Sequence, residues 1–65
     1  MHVGDRVNIY NYTQSGSRIL EGKARLVKPV QTNEARADQE LWMVRFLSEP
    51  DTTYMRWVLM EAIEA

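Results

Sequence analysis

Apolar residues fall at every second position in four stretches of this chain, with charged or polar residues between them. The first stretch is Gly4-Asp5-Arg6-Val7-Asn8-Ile9 and the second is Gly22-Lys23-Ala24-Arg25-Leu26-Val27. The third is Trp42-Met43-Val44-Arg45-Phe46 and the fourth is Arg56-Trp57-Val58. A period of two marks a strand with one buried and one wet face. Four such strands in 65 residues predict a small all-β barrel.

The first strand is expected over 3–12. Val7 and Ile9 face one way, and Arg6, Asn8, Tyr10 and Tyr12 face the other. Gly4-Asp5 reads as a turn or bulge. The polar loop 13–17 carries Gly16 for an unusual backbone angle. The second strand is expected over 18–28, with Leu20, Gly22, Ala24 and Leu26 inward and Glu21, Lys23, Arg25 and Val27 outward. A glycine in mid-strand marks a bend or a close approach of another group, and a small barrel needs such a bend for one strand to serve both sheets. Pro29 lacks a ladder donor and ends the strand or sits at an edge.

Residues 31–39 are polar and aperiodic, which predicts an irregular, mobile segment with at most a marginal helical turn at 34–37. The third strand is expected over 40–47, with Trp42, Val44 and Phe46 inward and Met43, Arg45 and Leu47 outward. A turn at 48–52 contains Pro50. The fourth strand, over 53–59, has an ambiguous phase, and a bulge would let Val58 and Leu59 both reach the core. Residues 60–65 read as a helical turn or a last short strand with Ile63 inward. The expected core is Val7, Ile9, Leu20, Leu26, Val44 and Phe46.

Composition narrows the class. Sixty-five residues make one domain, 1–65, near the lower limit for unaided folding. Hydrophobic residues are 45% of the chain, enough to argue against wholesale disorder. There is no Cys, which removes disulfides and thiolate metal sites. The formal net charge of −1 lacks the basic excess typical of nucleic-acid binders. No apolar run approaches the ~20 residues needed to span a bilayer, and the first residues hold no signal-peptide core. These features fit a cytoplasmic protein.

The four patterned stretches resemble the SH3-like small barrels of the Tudor, chromo-barrel and KOW kind. Such domains often open on Gly-Asp/Glu-x-Val, bend at Gly-x-Ala/Val, carry Tyr/Trp-x-Val-x-Phe in the third strand and end with Trp-Val. The matching residues here are Gly4-Asp5-Arg6-Val7, Gly22-Lys23-Ala24, Trp42-Met43-Val44-Arg45-Phe46 and Trp57-Val58. Order and spacing fit over nearly the whole chain. The resemblance implies an all-β, SH3-like five-stranded barrel with a short C-terminal helical turn or strand. The matching residues are those that build and bend the barrel.

Catalytic and metal-binding readings fare poorly. The only His is His2, at a terminus, where the fixed geometry that a general base needs is hard to hold. Gly16 to Lys23 has five residues between its glycines and Ala24 after the lysine, so it is not a phosphate loop. Glu34, Asp38 and Glu40, and Glu49 with Asp51, cluster in or beside loops. Solvated loop charge is the default reading, because hard-cation cages need oxygens converging on a rigid frame. The chain also resembles the type II dihydrofolate reductases in its opening Gly-Asp-Arg-Val and in its apolar end. Where that family carries Val-Gln-Ile-Tyr, this chain has Tyr54-Met55-Arg56-Trp57, so no reductase residue carries over and the enzyme reading is a remote alternative.

Two surface sets could bind. Lys23, Arg25 and Arg45 fall on the outer faces of adjacent strands, and Arg56 is expected to join them. Beside exposed Tyr10 and Tyr12, such a strip could hold a phosphate backbone while bases stack on the rings. The competing reading is a wet face whose cations are balanced by Glu21, Glu40 and Glu49. The second set is Tyr10, Tyr12, Trp42, Tyr54 and Trp57, of which the Tudor resemblance places Tyr10, Tyr12 and Trp57 where aromatic cages take methylated Lys or Arg by cation–π attraction. Residues 48–52 supply no aromatic to complete such a cage, and Trp42 reads as core. The expected function is therefore a non-enzymatic module recognising a protein or peptide, with nucleic acid as the alternative and no cofactor or metal. Met43, Leu47, Met55, Met60 and Trp57 exceed what so small a core can hide, which predicts a homo-oligomer.

Overall fold

The computed structural model describes residues 1–62. Four strands, β1 (Arg6–Tyr12), β2 (Arg18–Pro29), β3 (Gln39–Phe46) and β4 (Tyr54–Leu59), form one antiparallel sheet in the order β1-β2-β3-β4. A 3₁₀ turn, Met60–Ala62, follows β4. The sheet curls until β1 and the 3₁₀ turn, and β1 and β4, approach each other, giving a half-barrel. Five strands are thus not seen among the described residues, and the expectation for Ile63 lies outside them.

Each turn has a local cause. Gly4 and Gly16 take φ of 91° and 86°, a region that costs L side chains strain and glycine little. At the first turn the Asp5 amide donates to the His2 carbonyl and the His2 amide donates to Asp5 Oδ2. The 13–17 turn closes through the Gly16 amide donating to the Thr13 carbonyl and the Ser17 amide to Thr13 Oγ1. Pro29 is the last residue of β2. No helix forms at 34–37; the chain there makes only an isolated bridge between Arg36 and Gln39.

The core is built from alternate residues of all four strands: Val7, Ile9, Ala24, Leu26, Trp42, Val44, Phe46 and Val58. These match the inward sets of β1 and β3. Trp42 is buried as expected, and its indole N–H is satisfied by Glu40 Oε1 at 3.3 Å. Val58 and Leu59 are both buried, but β4 pairs with β3 residue by residue from Gln39↔Leu59 to Val44↔Tyr54. No bulge is needed; Leu59 is covered because β4 ends there and turns into the 3₁₀ segment.

Leu20 departs from expectation. It is 52% exposed. Ile9 pairs with Gly22 but Tyr10 pairs with Leu20, so Glu21 is an extra residue in β2. Side chains alternate strictly along a strand, and one inserted residue moves everything beyond it to the other face. Leu20 therefore shares the outer face with Tyr10. A second shift leaves Val27 unpaired between Leu26↔Val44 and Lys28↔Met43.

Gly22 sits beside the first bulge, under the ring of Phe46. A Cβ built on Gly22 would lie 3.1 Å from Phe46 Cδ1. Phe46 also meets Tyr54 edge-on, with ring centroids 5.6 Å apart. Gly22→Val should cost about 1–3 kcal/mol by overpacking, and the cost should shrink in a Phe46→Leu background. Phe46→Ala should cost about 3–5 kcal/mol. Denaturant unfolding of the parent and the four variants checks this; equal costs of Gly22→Val in both backgrounds would show that the two groups do not press on each other.

Candidate binding surfaces

The curl of the sheet leaves a seam between β1 and β4, and the expected aromatics meet along it. A groove of about 230 Å³ is lined by Tyr10, Asn11 and Tyr12 of β1, Met55, Arg56 and Trp57 of β4, and Arg36 and Gln39. Trp57 pairs with Leu41 on the outer face of the β3–β4 hairpin and is half-buried, which resolves its ambiguous phase. Tyr12 is 54% exposed.

Arginines already rest on two of these rings. The Arg36 guanidinium lies 4.0 Å from the centre of the Trp57 ring, and Arg18 lies 4.7 Å from that of Tyr10. Each is held from behind. Arg36 donates through Nε and Nη2 to Glu34 Oε1 and through Nη1 to Gln39 Oε1. Arg18 pairs with Glu61 at 3.0 Å. The segment 31–38, aperiodic in sequence, thereby contributes Arg36 to the seam; the sequence held no signal for this, because the contact depends on where the sheet brings Trp57.

Arg56 does not join the basic strip. It pairs with Trp42, an inward residue, and so lies on the concave side. There it meets the bulge residue Glu21 in a two-pronged pair, Nε to Oε1 at 3.0 Å and Nη2 to Oε2 at 2.9 Å. This geometry matches the planar fork of guanidinium to carboxylate. The hydrogen bond to Glu21 raises the Arg56 pKa. Arg56 also lies 5.0 Å from the Tyr54 ring centre and 5.8 Å from that of Phe46. The pair ties β2 to β4 across the mouth of the half-barrel, between strands that share no backbone ladder.

The other expected basic residues do come together. Arg6 pairs with Arg25 and Arg25 pairs with Arg45, so three arginines stand abreast on the outer faces of β1, β2 and β3. Arg6 was not among the expected binding residues; its cross-strand register, unknown from sequence, is what adds it. Lys23 is on the same face, opposite Asn8. The three carboxylates expected to balance this face are engaged elsewhere: Glu21 with Arg56, Glu40 with Trp42 and Glu49 with Tyr54. Among the described residues, no carboxylate forms an ion pair with Arg6, Arg25 or Arg45.

No family model, curated protein or solved structure matches the chain.

Tyr54 donates its hydroxyl proton to Glu49 Oε2. That hydrogen bond raises the phenol pKa, since ionisation would destroy it and set two negative charges side by side. A raised native pKa means that the interaction stabilises the fold at neutral pH, below the unfolded phenol pKa. Its contribution is lost as pH climbs through the native value. Following the Tyr54 ring carbons by NMR, the titration midpoint should fall in Glu49→Gln; an unmoved midpoint would remove Glu49 as the cause.

Proposed function

We propose that this chain is a non-enzymatic binding module of SH3-like build, acting in the cytoplasm, and that it takes an extended protein or peptide segment in the seam between β1 and β4. The observation that carries this reading is the convergence of Tyr10, Tyr12 and Trp57, from two strands far apart in sequence, on one groove. Tyr and Trp give large contact area at low entropic cost and dominate the energetics of protein interfaces. The groove lies between the two outer strands of the sheet. An extended segment laid there could add its backbone to a strand edge while side chains fill alternate positions, the β-augmentation mode of peptide recognition.

Peptides selected from a random phage-displayed library against the immobilised chain test the reading. Selected peptides should perturb Trp57 emission, an effect lost in Trp57→Phe while buried Trp42 remains. Tyr12→Ala should weaken them by tenfold or more, about 1.4 kcal/mol. Peptides that bind the Tyr12→Ala and Trp57→Phe proteins as tightly as the parent would place their site elsewhere and sink the proposal.

Self-association has its own support. Met43 pairs with Met55 and Leu41 with Trp57, which makes an apolar band on the outer face of the β3–β4 hairpin. Met55 is 54% exposed. A second copy laid face to face on this band would cover it. Sedimentation at micromolar concentration should give a dimer or larger species that Met55→Glu dissociates; a monomeric parent chain would refute it.

A further inference from the structure

The arginine row poses a physical problem. Like charges directly opposite on adjacent strands destabilise a sheet, and this sheet carries two such pairs in succession, Arg6–Arg25 and Arg25–Arg45. Neighbouring strands are ~4.8 Å apart, so the three guanidiniums share a band roughly 10 Å wide. No carboxylate among the described residues forms an ion pair with them. By contrast, Arg18, Arg36 and Arg56 each have an acidic partner. Glu61 and Glu34 are engaged at the seam and Glu21 at the mouth, and none of them reaches the outer row.

The row is also held in place. Arg25 Nη1 donates to the Gly4 carbonyl at 3.3 Å, and Arg45 Nε donates to Thr53 Oγ1 at 3.0 Å. A guanidinium has five donors, so each anchored arginine keeps N–H groups for a ligand. Arg25 and Arg45 stand at one side of a cavity of about 320 Å³ whose other walls include Val3, Val27, Leu47 and Pro50. Val3 is 67% exposed and Leu47 41% exposed, so this apolar wall is open to solvent.

We infer that the Arg6–Arg25–Arg45 row and the adjoining apolar cavity form a second binding site, for single-stranded nucleic acid. Arginine forks match phosphate oxygens two at a time. The cations and the apolar wall belong to one cavity, so its ligand brings negative charge and an apolar body within a single cavity's length. A nucleotide does this in every repeat unit, and the next phosphate along the strand reaches Arg6 outside the cavity. An acidic peptide would need two different residues for the two tasks. The site lies on the outer faces of β1, β2 and β3, apart from the seam, and does not depend on the peptide reading.

Fluorescence anisotropy of a fluorescein-labelled oligothymidylate, titrated with the full chain at low salt, tests the inference. Binding should weaken steeply with salt, with a log–log slope near −2 for three phosphate contacts at about −0.7 each. Arg25→Gln and Arg45→Gln should each lower affinity tenfold or more and flatten the slope by about 0.7. Their melting temperatures should hold or rise, because each removes a like-charge cross-strand contact. A merely structural role would give the opposite, a fall in melting temperature. Tyr12→Ala should bind the oligonucleotide like the parent. Absence of binding by the parent chain, equal binding by the arginine variants, or capture of polyglutamate in place of the oligonucleotide would each overturn the inference.

Discussion

The fold turns on one contact, the Phe46 ring against the bare backbone of Gly22. A side chain at position 22 would keep β3 from closing down on β2 at that point. With none there, Phe46 covers the strand, and the inserted Glu21 adds a local kink beside it. Bulges bend a strand and increase its twist. The consequence is spatial: β2 serves as the hinge of a curled sheet, and β1 is carried round toward β4. Without the curl, Tyr10 and Tyr12 would lie three strands away from Trp57. The groove that gathers them is a product of the bend.

The same bulge residue also braces the curl. Glu21 reaches across the mouth to Arg56, whose fork it fills at both oxygens. Isolated surface ion pairs contribute little, ~0–1 kcal/mol. This pair differs in that it is two-pronged and partly covered, with side chains 23% and 32% accessible, beside Phe46 and Tyr54. Tyr54 in turn is tied to Glu49 in the turn that precedes β4. Bend, ring stack and ion pair are therefore one connected assembly, with Gly22 at its centre. Its acidic members, Glu21 and Glu49, are engaged here and form no ion pair with the arginine row on the outer face.

Much of this was legible in the chain. The alternation of Val7 with Ile9, and of Trp42 with Val44 and Phe46, gave the buried faces of β1 and β3, because a pleated strand leaves no choice of side once one residue is inward. Gly4, Gly16, Gly22 and Pro29 marked two positive-φ turns, a close approach and a strand end for stated steric reasons. Leu20 was misplaced because a bulge has no compositional mark: Ile19, Leu20 and Glu21 read as well in either phase. Arg56 was assigned to the outer strip because Met55 and Trp57 are as apolar as Tyr54 and Val58, so β4 offered no periodic evidence of which side was wet.

What the sequence determined by itself was the set of local facts: which stretches extend, where they turn, and which side of β1 and β3 must be dry. These follow from backbone sterics and from a period of two, both short-range. The pairing of Arg6 with Arg25 and Arg45, the meeting of Tyr10 and Tyr12 with Trp57, the seat of Arg36 on the Trp57 ring and the union of Glu21 with Arg56 were decided only in three dimensions. Each depends on register and curvature, and those are set jointly by all the strands through hydrogen-bond ladders, two single-residue shifts and one ring resting on one glycine.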